Sequence, residues 1–228
     1  MMKIVVIYTF CLLASVTLQA QKNEKDNSVE TAKTERIVLI STSLGNMTVK
    51  LYDATPLHRD NFIKLANDNF YDSLIFHRVI QGFMIQGGDP QSRNSKDLGA
   101  LFGAGDNGYT IPAEFVDSLF HKKGTLCAAR TNNPEKASSG CQFYIVQGVV
   151  QTKEQLAQME IQRKIKLSDG QKQLYSTLGG TPMLDNNYTV FGEVTEGLDV
   201  LDKIAAVKKN ESDRPLENVF ILKVSVLK

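Results

Sequence analysis

Residues 76–89 read FHRVIQGFMIQGGD. Large apolar side chains surround one arginine, Arg78, and the segment runs out into Gly87-Gly88-Asp89. Its apolar residues fall in two short runs, predicted as strands Leu74–Ile80 and Phe83–Gln86. Runs of this length, rich in branched and aromatic residues and parted by a glycine, suit strands better than helices. The segment holds no evident nucleophile, so a charged arginine among core-like residues needs another explanation.

Working outward, further strands are predicted at Ile37–Ile40, Met47–Tyr52, Gly124–Ala129, Gln142–Gln147, Thr189–Val194 and Val219–Leu227. In the second of these, Met47, Val49 and Leu51 alternate with Thr48 and Lys50, the pattern of a strand with one buried face. Thr55-Pro56 starts a helix, where proline fits the first turn, and Phe62, Leu65, Ala66 and Phe70 share its apolar face. A last helix runs from Gly197 to Val207. Between 148 and 182 the character changes. Thr152-Lys153-Glu154-Gln155 and Ser168-Asp169-Gly170-Gln171 both have the spacing of a capping box. Leu156, Met159, Leu174 and Leu178 offer apolar faces, and Gly179-Gly180 with Pro182 ends the second segment. Two short helices are therefore expected as an insert between strands. About eight strands with few helices predict a mainly β, antiparallel barrel, because closure removes exposed edges.

The chain has 228 residues, a length that one barrel domain can fill. With 26 basic and 25 acidic side chains, it lacks the electrostatic footprint of a nucleic-acid partner. Met1-Met2-Lys3, the apolar run Ile4 to Val16 and Thr17-Leu18-Gln19-Ala20 form the three regions of a secretory signal peptide. Cleavage after Ala20 leaves a mature chain with no membrane span. The expected destination is the periplasm, with surface attachment or secretion as the alternatives. Residues 21–35 are polar and aperiodic and read as a flexible tether, so the folded domain is 36–228. Cys127 and Cys141 remain in the mature chain. Export permits them to pair, and spacing does not decide it.

Two other motifs are rejected. Gly103-Ala104-Gly105-Asp106-Asn107-Gly108 matches G-x-G-x-x-G, but Tyr109-Thr110-Ile111-Pro112 follows, and Pro112 blocks the helix a dinucleotide site needs. The three histidines, His58, His77 and His121, have no metal-ligand spacing. No metal or cofactor is expected. Cys141 with His77 as base would be a thiol nucleophile, but a lone strand cysteine reads as packing.

The FHRVI and GFMIQGGD blocks, together with TPLHRDNFIKLANDNFYDSLIFHRVI (55–80), GYTIPAEF (108–115), SSGCQFYIV (138–146) and LDNNYTVFGEV (184–194), occur in the order of a known family. The chain resembles the cyclophilin-type peptidyl-prolyl cis–trans isomerases over roughly residues 36–228, apart from the insert. That resemblance implies an eight-stranded antiparallel barrel with a helix over each end and a groove on its outside. It implies Arg78 as the catalytic donor, with Gln86 steadying it and the substrate carbonyl. Phe83, Met84, Tyr144 and Leu184 would form the proline pocket. Gln142 and the backbone around Ala129-Arg130 would bind the peptide before the proline, Met183 would also contact substrate, and Arg130 and Tyr188 would tune the substrate rim. Departures from the family pattern lie at Tyr144, where phenylalanine is usual, and at Met183, where tryptophan is frequent. Arg130 and Tyr188 replace a frequent asparagine and histidine.

The chemistry agrees with the residues. Rotating an Xaa-Pro bond breaks amide resonance over a barrier of roughly 18–20 kcal/mol and makes no covalent bond, so it requires no nucleophile. A fixed guanidinium stabilises the electron density gathered on the twisted nitrogen. The expected partners are proline-containing segments of unfolded or partly folded proteins, met by a monomeric chain. The alternative reading is a chaperone or binding module on the same fold with little catalysis. The insert serves either to extend the groove or to bind a partner.

Overall fold

The computed structural model describes residues 35–228. The signal peptide expected at 1–20, and the tether up to its last residue, lie outside the described residues. The chain forms β1 (Arg36–Thr42), β2 (Gly45–Leu51), α1 (Pro56–Asn67), β3 (Leu74–Ile75), β4 (Arg78–Ile80), β5 (Met84–Gly87) and β6 (Thr110–Ile111). There follow β7 (Thr125–Ala128), β8 (Ser138–Ser139), β9 (Phe143–Val146), α2 (Lys153–Arg163) and α3 (Asp169–Thr177). The last elements are β10 (Val190–Glu196), α4 (Leu198–Ala205) and β11 (Phe220–Val226).

Nine strands join in one antiparallel sheet, ordered β3-β11-β1-β2-β10-β7-β9-β5-β4. Its two outermost strands, β3 and β4, are parted in the chain only by Phe76-His77. Three residue steps span at most about 11 Å, so the sheet has to curl until its edges approach. The expected single strand 74–80 is thus two strands at opposite edges. Phe76 N–H donates to Val219 O at 2.9 Å and Val79 N–H to Asp213 O at 2.8 Å, so the chain changes partners between them. The two-residue strands β6 and β8 pair separately. They are too short to show a period, and the sequence reading missed them.

Alternation along the strands sorts side chains onto two faces. Val38, Ile40, Met47, Val49, Val79, Ile85, Leu126 and Ile145 point into the main core, together with Phe62 and Leu65 of α1 and Leu201 and Ile204 of α4. Helices α1 and α4 therefore bury their apolar faces in this core. Glu114 holds the start of α1, accepting from the backbone N–H of Leu57 (3.1 Å) and His58 (3.0 Å), donors left over at a helix N-terminus. A second cluster, on the opposite face of the sheet, contains Met84, Cys127, Ala129, Tyr144, Val146 and Val190. Cys141 belongs to the main core and Cys127 to the second cluster; both thiols are buried and unpaired.

Both capping boxes form as predicted. Thr152 Oγ1 accepts from Gln155 N–H, and Gln155 Oε1 accepts from Thr152 N–H at 2.8 Å. Ser168 and Gln171 repeat the arrangement. The insert packs a small core of Leu156, Leu167 and Tyr175. Tyr175, rather than the expected Leu174, is the buried residue of α3, and Leu174 stays at the surface. The ends of the insert meet where Gly180 N–H donates to Val149 O at 3.1 Å.

Candidate active site

Register across the sheet aligns Arg78 with Gln86, Gln86 with Tyr144, Tyr144 with Cys127, and Cys127 with Val190. Their inward neighbours Val79, Ile85 and Ile145 fill the core, so this row faces outward. A cavity of about 120 Å³ opens there, lined by Arg78, Phe83, Met84, Gln86, Ala129, Arg130, Tyr144, Leu184 and Tyr188. Met84 and Tyr144 are buried and make its apolar wall. The Arg78 side chain is 46% exposed, with Nε 3.7 Å from Asp213 Oδ2. An apolar wall with a few polar groups at its edge is the usual character of a small-ligand site.

A second cavity, about 470 Å³, shares Gln86, Ala129 and Arg130 with the first and includes Gln142. Ten of the eleven site residues expected from the sequence thus gather along one continuous groove. Met183 does not: it lines neither cavity and is 51% exposed, and its carbonyl accepts from Arg163.

Gln86 Nε2 donates to Gln142 Oε1 at 3.0 Å, and Gln142 Nε2 donates to the carbonyls of Gly103 (3.0 Å) and Gly105 (2.7 Å). The glycine-rich string is therefore a loop walling the larger cavity. Asp89 grips the same loop, accepting from the N–H groups of Gly103 and Gly105. A Cβ on Gly105 would stand 2.0 Å from Asp89 Oδ1, so this approach needs glycine. The closing Gly-Gly-Asp of the opening motif anchors the groove. The sequence reading assigned Asp89 no role, although it lies within the quoted motif.

At the rim, the Arg130 guanidinium lies 4.7 Å over the Tyr188 ring, and its Nε donates to Asn187 O at 2.9 Å. Tyr188 meets Tyr144 edge-on, with ring centroids 5.9 Å apart. Asp213, the ion-pair partner of Arg78, was also missed. It is 135 residues distant in sequence, and no spacing signals it. His77 turns away from this site. It is buried, and neither ring nitrogen has a hydrogen-bond partner within the protein. Burial, aided by the charges of Arg214 and Arg78, lowers its pKa to about 4, so the ring is neutral at pH 7. His58 is tied by Nδ1 to Glu114 at 2.7 Å and by Nε2 to Ser138 at 3.0 Å, a structural role.

The curled antiparallel sheet thus carries an outward groove, with an arginine at the edge of a small cavity walled by Phe83, Met84, Tyr144 and Leu184. Residues 37–226 match the family described as cyclophilin type peptidyl-prolyl cis-trans isomerase/CLD, and the chain belongs to that family of isomerases. A Staphylococcus epidermidis protein named as a peptidyl-prolyl cis-trans isomerase is 33% identical over 214 residues, covering 91% of this chain and 96% of the relative. A similarly named Staphylococcus aureus protein is 35% identical over 195 residues, 83% of this chain and 90% of that one. A Streptococcus pyogenes protein named for both phosphatase and isomerase functions is 37% identical over 192 residues. The match spans 83% of this chain but only 38% of that relative. Among solved structures, a cyclophilin-type isomerase of Cryptosporidium parvum shares the fold, with a TM-score of 0.64, 22% identity and coverage of 85% of this chain and 98% of its own. Another structure of that protein, determined in the presence of the dipeptide Ala-Pro, gives a TM-score of 0.61 over 84% of this chain and 99% of its own. Among the described residues, no helix is long and apolar enough to cross a membrane.

Proposed function

We propose that this isomerase acts on Xaa-Pro bonds of exported proteins as they fold, with Arg78 as the group that lowers the barrier. The proline ring packs into the 120 Å³ cavity against Phe83, Met84, Tyr144 and Leu184. The residues before it lie toward the larger cavity, along Gln142 and the Ala129-Arg130 backbone. As the amide twists, its nitrogen gains a lone pair, and the guanidinium donates to it. This interaction is stronger in the transition state than in either planar isomer, the condition for acceleration. Arginine suits the task because it stays protonated and its donor fork is rigid.

The observation carrying this reading is the position of Arg78 on the edge of a cavity whose wall includes Phe83, Leu184 and the buried Met84 and Tyr144. The Ala-Pro dipeptide present with the Cryptosporidium neighbour supports proline as the ring that enters. A protease-coupled assay on an Xaa-Pro peptide tests it. Arg78→Ala should lower kcat/KM by about a hundredfold or more, the usual loss when one transition-state donor is removed. An unchanged rate would overturn the role of Arg78. The export part rests on the residue pattern at 1–20, and mass analysis of the mature chain from fractionated cells checks it. A chain retaining Met1 in the cytoplasm would overturn it.

A further inference from the structure

Tyr144 walls the proline cavity with its ring, yet its hydroxyl is engaged by His121, which lines neither cavity. His121 Nε2 lies 3.0 Å from the Tyr144 hydroxyl, and His121 Nδ1 lies 2.8 Å from Asp185 Oδ1. The same Asp185 oxygen accepts the His121 backbone N–H at 2.9 Å. Nδ1 thus faces the carboxylate and Nε2 the Tyr144 hydroxyl, so the imidazole bridges the two side chains. The two rings stack at an interplanar angle of 12°. The other Asp185 oxygen accepts the Tyr175 O–H at 2.6 Å, and Tyr175 belongs to α3 of the insert. All four side chains are buried. Burial pushes both phenols well above their usual pKa range, which keeps them protonated donors. The insert is fastened to the same place, where Thr181 N–H donates to His121 O at 2.8 Å.

We propose that the helical insert is a positioning element of the isomerase site: Tyr175, acting through Asp185 and His121, sets the orientation of the Tyr144 ring against which proline packs. The proposal rests on the isomerase reading of that cavity. The chain of contacts ties the Tyr144 ring to Asp185 and, through it, to the insert. Without the Tyr175 hydroxyl, Asp185 keeps only the two His121 contacts on one oxygen, and its other oxygen loses its partner. The carboxylate, His121 and the Tyr144 ring then lose one of the restraints on their tilt. The hydroxyl that sets this chain apart from the phenylalanine-bearing family pattern thus gains a purpose, which is to receive a restraint from the insert.

The test is a cycle of Tyr175→Phe, Tyr144→Phe and the double variant, each losing only oxygen atoms. For each, kcat and KM on an Xaa-Pro peptide, the Kd of Ala-Pro and the thermal midpoint are measured. Tyr175→Phe should lower kcat/KM roughly three- to tenfold, the worth of one net hydrogen bond. In the Tyr144→Phe background it should have no further effect, because the connection is already cut. Multiplicative losses, or wild-type kcat/KM in Tyr175→Phe, would overturn the proposal. Should Tyr175→Phe fail to fold, Asp185→Asn in the same two backgrounds is read the same way. A wild type that binds Ala-Pro without accelerating rotation would sink the isomerase mechanism instead, and the Kd values of the same variants would still decide the positioning role.

Discussion

His77 and Arg78 are sequence neighbours with opposite surroundings. His77 enters the interior, and Arg78 faces the outer cavity. The histidine carries a pH dependence. Its pKa is lowered from 6.5 to about 4 in the folded chain, chiefly by burial. Above pH 6.5 neither state holds the proton; between 6.5 and about 4 only the unfolded chain does. Stability therefore falls as pH is lowered through that window and levels off beneath it. Urea unfolding of His77→Leu should show a slope against pH smaller by about one proton than wild type there. Equal slopes would mean that another group carries the effect. Arg78 was legible in sequence because a lone charge in an apolar motif is conspicuous. Asp213, its partner, was not, because a surface aspartate next to an arginine (Asp213-Arg214) looks ordinary.

At the scale of elements, local signals were accurate where the chemistry is local. Capping boxes, the proline at the start of α1 and strand alternation each bind residues a few positions apart. The turn after β5 adds a tertiary demand. Gly88 has φ of +94°, and a Cβ there would come 2.3 Å from Cys141 O. Gly88→Ala should cost about 2 kcal/mol or more, the scale of a strained backbone position, and loosen the loop held by Asp89. Chemical denaturation measures the first effect. A stability within error of wild type would show that the turn readily relaxes. The break between β3 and β4 was illegible, since Leu74 to Ile80 carries no proline or glycine and only edge pairing divides it.

For the whole molecule, every residue lining the two cavities falls between Arg78 and Tyr188, and the family match begins at residue 37. A chain shortened to residues 35–228 should fold and turn over Xaa-Pro peptides at the rate of the longer chain. A clear loss of kcat/KM on shortening would assign the first 34 residues a part in the site. The groove itself exists only at this scale, because curling brings β4, β5 and β9 beside the 182–188 segment.

The sequence by itself determined most of the longer strands, the inserted helices, the ordered family motifs and most of the groove's residues. These depend on short-range periodicity and on residue types whose chemistry is intrinsic. Tertiary structure alone decided which neighbours those residues have. It turned Gln86 toward Gln142, left Met183 outside both cavities, kept the two cysteines on different faces and gave Tyr144 a restraint reaching to Tyr175. Hydrogen bonds and burial between residues tens of positions apart are set by how the sheet curls, and no local pattern records that.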